Sequence, residues 1–439
     1  MIMMAQIKKR ERNAIFQSLR AGVVPRIGLQ HIQVGRKDEI NAILDDLGQI
    51  KDNGATVRFI IGQYGSGKSF FLNLSRQVAL EKRFVVVQAD ITPDRRLYAT
   101  GGQARALYAE LMHNMATRAK PEGGALASVV ERWVSDLDYR LRQDGKGDDE
   151  IVRAITQELR SLQDLVHGYD FATVIGRYYE GFQHGDEPLM SSALRWLSGG
   201  YETKTEARMD LGVRMIIGDS DIYDYFKVWA SFVRMAGYSG LLVNLDEMGV
   251  LSHRLSNTQA RNTNYEMILR IVNDCLQGNV SGIGFIFAGT DEFFSDPRRG
   301  IASYEALASR LRENEFAIHG LKDFSRPVIR LENLTAEDLF VLFHNIRKVF
   351  AMGDASAYLI PDEGVTQFME YCSGILGAEF YQTPRDAVKR FVGLLSVLEQ
   401  NPEARWEELI SRPSATPSSR GEEEGQTVTG DDELRAFRL

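Results

Sequence analysis

One short string limits what this chain can fold into more than any other: Gly62-Gln63-Tyr64-Gly65-Ser66-Gly67-Lys68-Ser69, a complete GxxxxGK[ST] loop. It follows an apolar run, Val57-Arg58-Phe59-Ile60-Ile61, and precedes an amphipathic stretch, Phe70-Phe71-Leu72-Asn73-Leu74. Strand, glycine-rich turn and helix are the context in which this motif cradles phosphates. The glycines let consecutive backbone N–H groups face inward, and the helix then starts with its positive dipole end toward the same anion. Lys68 would reach the terminal phosphates, and the Ser69 hydroxyl would ligate Mg²⁺. Residues 62–69 and Phe70 are the expected nucleotide-binding set, with ATP and Mg²⁺ as the expected cofactors.

At 439 residues the chain has room for two or three domains, and its 44% hydrophobic and 26% charged residues are ordinary for a soluble protein. No apolar stretch approaches the roughly 20 residues needed to span a bilayer. The start, Met1-Ile2-Met3-Met4, runs straight into Lys8-Lys9-Arg10, too short for a signal-peptide core. Cys275 and Cys372 lie far apart and near no His cluster, so buried thiols are expected and a reducing cytoplasm with them. Net charge is −8, yet up to Arg36 only Glu11 opposes Lys8, Lys9, Arg10, Arg12, Arg20, Arg26 and Arg36. This basic arm could meet a phosphate backbone or an acidic partner, or be a solvated helix.

The periodicity divides the chain. A helix from about Lys37 (Ile40, Ile43, Leu44 and Leu47 on one face) leads into the phosphate-loop strand. A second strand is Phe84–Asp90, and its continuous apolar run is typical of a parallel sheet covered on both faces. Helical stripes then take over: Leu126, Val129, Val130, Trp133, Leu137 and Leu141, followed by Ile151, Ile155, Leu159, Leu162 and Val166. After a helix from about Asp221 to Met235, strands are expected at 240–245, 284–288 and 328–331, then helices to about Leu409. The expected organisation is a basic N-terminal arm, 1–36; an α/β nucleotide-binding core, 37–99 and 219–332; a helical insertion, 100–218; a helical lid, 333–411; and a linker with a short terminal motif, 412–439. In the last, Leu434, Phe437 and Leu439 share a helical face that could dock into a partner's groove.

The strand Leu241–Leu245 ends in Asp246-Glu247, two carboxylates at the carboxyl edge of the sheet. Asp246 would hold Mg²⁺ through water, and Glu247 would orient and polarise the attacking water. The next strand ends at Thr290, a candidate contact to the γ-phosphate or the water, or a hydroxyl that only caps the strand end. Arg298, Arg299, Arg310 and Arg312 follow. An arginine from a neighbouring subunit often meets the charge that develops on a transferring phosphoryl group. Arg310 is the first choice for that part. Thr383-Pro384-Arg385 opens a helix with Thr383 as N-cap, which leaves Arg385 in the first turn, where a cation is disfavoured unless an anion sits nearby. Arg385 is therefore the expected lid arginine over the γ-phosphate.

Taken in order, Gly35-Arg36, the phosphate loop, the Asp-Glu strand, the Thr-ended strand, Ser309-Arg310-Leu311 and a helical lid with Pro384-Arg385 resemble the AAA+ ATPases, nearest their origin-initiator branch. Several longer strings narrow this: Gly22-Val23-Val24-Pro25 with Val34-Gly35-Arg36, Asn264-Tyr265-Glu266, Asn273–Gly278, Phe287-Ala288-Gly289-Thr290 and Tyr304-Glu305-Ala306-Leu307. With them the chain resembles the phage-defence ATP-binding proteins of the BREX type, BrxD. The resemblance implies an AAA+/ASCE P-loop fold with a parallel sheet, a large helical insertion and a C-terminal helical lid. It implies an oligomeric, Mg-dependent ATPase that remodels double-stranded DNA or a partner such as a helicase in anti-phage defence. The initiator branch usually carries a C-terminal winged helix, and nothing foldable of that size follows Leu409, so DNA would have to be met by another surface. The alternative is an interaction module that uses bound ATP as a latch and turns it over slowly.

Overall fold

A computed structural model describes residues 7–317, 322–376 and 384–411. At its centre is a single sheet of β1 (Ala55–Ile61), β2 (Val85–Asp90), β3 (Leu241–Asp246), β4 (Ile283–Gly289) and β5 (Val328–Arg330). The strands run β2-β3-β4-β1-β5 and every pairing is parallel. Because β4 separates β1 from β3, the loop after β1 and the carboxylates after β3 flank one crevice at the carboxyl edge. That is where ligands bind in open sheets of this type. The order and the position of the loop are those of an α/β AAA+ P-loop NTPase, as the sequence led one to expect.

Covering both faces explains the unbroken apolar runs. On one face Ile60, Val86, Leu242 and Ile286 pack against Ile43, Leu47 and Ile50 of helix Lys37–Lys51 and against Phe71, Leu72 and Leu80 of helix Lys68–Glu81. On the other, Val87, Val243 and Phe285 join a core with Leu107, Trp133, Phe171, Trp196 and Trp229. These come from the helices between β2 and β3, which run from Gln103–His113 to Ile222–Met235. Their amphipathic stripes and the second sheet face thus cover each other.

Helices Ala336–Phe350, Asp362–Leu376 and Pro384–Gln400 share a separate core built on Phe343, Phe368 and Phe391. Helix Lys9–Ala21 adds Ile15 and Phe16 to it. Arg12 donates to the Phe350 carbonyl at 2.7 Å and to Glu399 at 2.8 Å, and Arg20 donates to Ser396 Oγ at 2.9 Å. These two cations of the basic segment are engaged within the molecule. Cys275 and Cys372 are buried and free, each thiol pushed up to about 12, chiefly by burial. No helix among the described residues is long and apolar enough to cross a membrane. Thr383 and the terminal motif of Leu434, Phe437 and Leu439 lie outside the described residues.

Candidate functional site

β1 runs directly into the glycine-rich loop. A Cβ on Gly62 would lie 2.6 Å from Ser66 Oγ and 2.7 Å from the Leu331 carbonyl, so only glycine lets the turn close. Gly65 and Gly67 have φ of 86° and 88°, a left-handed region that glycine occupies without steric cost. Helix Lys68–Glu81 then starts with no side-chain cap, so its first N–H groups remain free to meet an anion. Lys68 Nζ donates to the Gly62 carbonyl at 2.9 Å and the Gln63 carbonyl at 2.7 Å, holding the loop in its curl. Burial lowers its pKa, against the pull of Asp246, Glu247 and Asp291. Phe70, one residue past Ser69, leans against the core of the C-terminal helices.

The two halves meet at Ser69, whose Oγ donates to Asp246 Oδ2 at 2.7 Å. Asp246 is buried, and its Oδ1 accepts the Glu247 N–H at 2.8 Å. That bond accompanies an uncommon backbone: Glu247 has a φ of 58°, a conformation costing an L-residue about 1–2 kcal/mol. The result turns the chain sharply at the strand end. The Glu247 carboxyl is held above the usual range, first by burial and then by the charges of Asp246 and Asp90. Asp90, in register with Asp246 across β2 and β3, is itself raised, mainly by burial.

Thr290 ends β4, between the two halves. Its Oγ1 accepts the Phe293 N–H at 3.3 Å and caps helix Asp291–Ser295, the local use that the sequence also allowed. Arg310 is exposed and donates to Asn273 Oδ1 at 2.5 Å and to the Ala306 carbonyl at 2.9 Å, with no contact to the phosphate loop among the described residues. Arg299 donates to the Leu255 carbonyl at 3.1 Å, while Arg298 and Arg312 are exposed. Arg385 NH1 lies 3.4 Å from the hydroxyl of Tyr64, a loop residue 72% exposed, so the C-terminal helices reach the loop through this pair.

Two further residues, Arg36 and Arg330, join the site without being singled out as site residues in the sequence. Arg36 donates to the Ser66 carbonyl at 3.2 Å and to the Glu332 carbonyl, tying the phosphate loop to the segment after β5. Its one sequence cue was the Gly35-Arg36 pair before a helix. Arg330 on β5 binds Asp291 at 2.6 Å and both oxygens of Glu313 at 2.7 Å. This links the Arg310–Arg312 stretch to the end of β4.

A family model described as BREX system ATP-binding protein BrxC/D matches residues 7–414. The chain belongs to that family. Among solved structures this BrxC/D-family chain is similar to the Aeropyrum pernix ORC2 protein in its ADPNP–ADP complexes, at 14% identity and a TM-score of 0.32, over 85% of this chain and 70% of that one. No curated protein matches. The family match and the parallel sheet with its phosphate loop jointly carry the reading of an ATP-binding protein of a BREX system with an α/β P-loop core.

The side chains present fit a magnesium nucleotide. Ser66 Oγ is buried with no hydrogen-bond partner and lies in the loop that would wrap the phosphates. Nothing lies within 4 Å of where a Cβ on Gly67 would project. Ser69 and Asp246 offer the hard oxygen donors that Mg²⁺ prefers.

Proposed function

We propose that this BrxC/D protein hydrolyses ATP and uses the cycle, as an oligomer, to remodel DNA or a partner protein in BREX defence. The observation that carries the reading is the 2.7 Å contact from Ser69 Oγ to Asp246 Oδ2, which joins the phosphate loop to the β3 carboxylates. Ser69 and Asp246 would hold Mg²⁺, and when bound the ion would neutralise charge on the phosphate oxygens. Lys68 would exchange its two carbonyl acceptors for phosphate oxygens, an exchange favoured by its burial. Glu247 would orient the attacking water and take its proton; a carboxyl raised by burial accepts a proton more readily than an ordinary glutamate. Arg385 would close over the γ-phosphate from the lid, moving off Tyr64. Thr290 would meet the γ-phosphate or the water from the end of β4. Arg310, exposed at the end of its helix, would serve the site of a neighbouring subunit.

The deciding experiment is steady-state ATP turnover of Glu247→Gln beside equilibrium binding of the same nucleotide. Loss of about 10²-fold or more in turnover with binding retained is expected, since one positioned base contributes on that order. Parental turnover would sink the assignment. Near-zero turnover in the parent, with and without duplex DNA, would favour a nucleotide latch.

A further inference from the structure

Past β2, at the carboxyl edge of the sheet, lies a cavity of about 150 Å³. A single water needs about 10–15 Å³ of such space, so a hydrated small ion fits. Helix Lys68–Glu81 contributes Asn73 and Arg76 to its wall, the end of β2 contributes Asp90, and Arg26 closes one side. Asn73 follows Ser69 by one helical turn, roughly 6 Å along the axis, which sets the cavity beside the candidate nucleotide crevice.

Three arginines and three carboxylates line this cavity, and they are not all paired with one another. Glu110 is held by Arg95 at 3.0 Å and by the Asn114 amide at 2.9 Å. Glu122 pairs with Arg10. Arg26 and Arg76 remain, with the carboxylates of Asp90 and Glu122 in the same lining. Among the described residues neither arginine forms an ion pair: Arg26 donates to the Glu122 carbonyl at 3.4 Å and Arg76 to the Pro121 carbonyl. Arg76 is only 7% exposed. Its pKa is lowered to about 10, by burial first and then by the charge of Arg26, with the charge of Glu122 pulling the other way.

We propose that Arg26 and Arg76 form a second oxyanion site, separate from the phosphate loop, that takes a phosphate group. Two guanidinium forks meeting over a polar cavity match a tetrahedral phosphate, whose oxygens accept paired N–H donors. Asn73 adds an amide donor on the side nearest Ser69. The phosphate could be free inorganic phosphate leaving the neighbouring crevice or one phosphodiester of a nucleic-acid backbone; the two share the same donors.

The test uses the full chain with the phosphate loop saturated by a non-hydrolysable ATP analogue and magnesium. Inorganic phosphate is titrated calorimetrically into the parent, Arg26→Gln and Arg76→Gln. Arg26 is exposed, so its substitution leaves folding intact and keeps the test readable even if the buried Arg76 variant fails to fold. A loss of about tenfold in phosphate affinity in Arg26→Gln, with unchanged analogue binding, is expected for one charged donor removed. A second arm measures duplex DNA binding across salt concentrations. If the natural ligand is a phosphodiester, Arg26→Gln flattens the slope of log affinity against log salt by about 0.9. Parental behaviour of Arg26→Gln in both arms overturns the proposal. Should the analogue not bind at all, the nucleotide reading fails separately, and the Arg26 comparison still decides this one.

Discussion

Arg58→Met tests how the phosphate-loop strand is held. Arg58 lies on β1, and its guanidinium grips Asp46 of helix Lys37–Lys51 with both forks, Nε to Oδ2 at 2.6 Å and NH2 to Oδ1 at 2.7 Å. The side chains are only 11% and 7% exposed. NH1 also donates to the Phe324 and Arg326 carbonyls at 2.7 and 2.6 Å, pinning the chain just before β5. Removing the guanidinium strands a buried carboxylate, which costs about 3–5 kcal/mol. Phe324 and Arg326 lie near enough to the surface for water to replace their donor, so they add little. Replacing both partners, Arg58→Met with Asp46→Leu, sets apolar groups beside Ile43, Leu47 and Ile50 and should recover at least about 2 kcal/mol of the loss. Asp46 supplies an internal check. Burial already raises its pKa even with Arg58 beside it, and losing Arg58 raises it further. A raised carboxyl stabilises the fold below its unfolded pKa, and that contribution is lost as pH rises through the folded value. The Arg58→Met deficit should therefore shrink toward acid pH. Urea unfolding followed by tryptophan fluorescence reads all three proteins. A single variant within about 1 kcal/mol of the parent, or a double variant no more stable than the single, refutes the argument.

The raised Glu247 carboxyl makes two linked statements. Turnover should fall on acidification through a pKa above that of an ordinary glutamate, and Glu247→Gln should gain thermal stability at pH 8 but not near pH 4, because the cost of a raised carboxyl to the fold grows from its unfolded pKa and is complete above its folded one. Equal gains at both pH values would contradict this. Arg12→Ala loses its bonds to the Phe350 carbonyl and Glu399 and its place 4.6 Å above the Phe350 ring, about 1–3 kcal/mol in sum. Limited proteolysis should then cut first around helix Lys9–Ala21, and an unchanged cleavage pattern would argue that the helix is held by Ile15 and Phe16 alone. Mixing Arg310→Ala with Lys68→Ala subunits should restore part of the turnover if Arg310 acts across an interface; no rescue at any ratio removes that role.

Much of this was legible in the sequence because the relevant signals are local. The phosphate loop declares itself by residue type and spacing, and the apolar runs at Val57–Ile61 and Leu241–Leu245 fixed two strands whose burial on both faces requires such runs. What stayed hidden depends on pairing at a distance. Arg58 sits inside an apolar run, and nothing near it announces Asp46 on the preceding helix. Arg330 gives no hint that it will gather Asp291 and Glu313. The left-handed turn at Glu247 is invisible because no glycine marks it; the Asp246 carboxylate accepts its N–H there instead. The basic N-terminal segment could be counted but not placed, since Ile15 and Phe16 anchor it to helices hundreds of residues away.

The helices between β2 and β3 have no hydrophobic interior of their own apart from the one they share with the sheet. Excising them would bare Val87, Val243 and Phe285 to water, so they cannot be exchanged like a cassette or swing free like a hinged arm. Whatever grips the outer faces of these helices pulls, through Trp133 and Trp196 in the shared core, on the strand that ends in Asp246. A load there would reach the carboxylates directly, with no linker in between to absorb it.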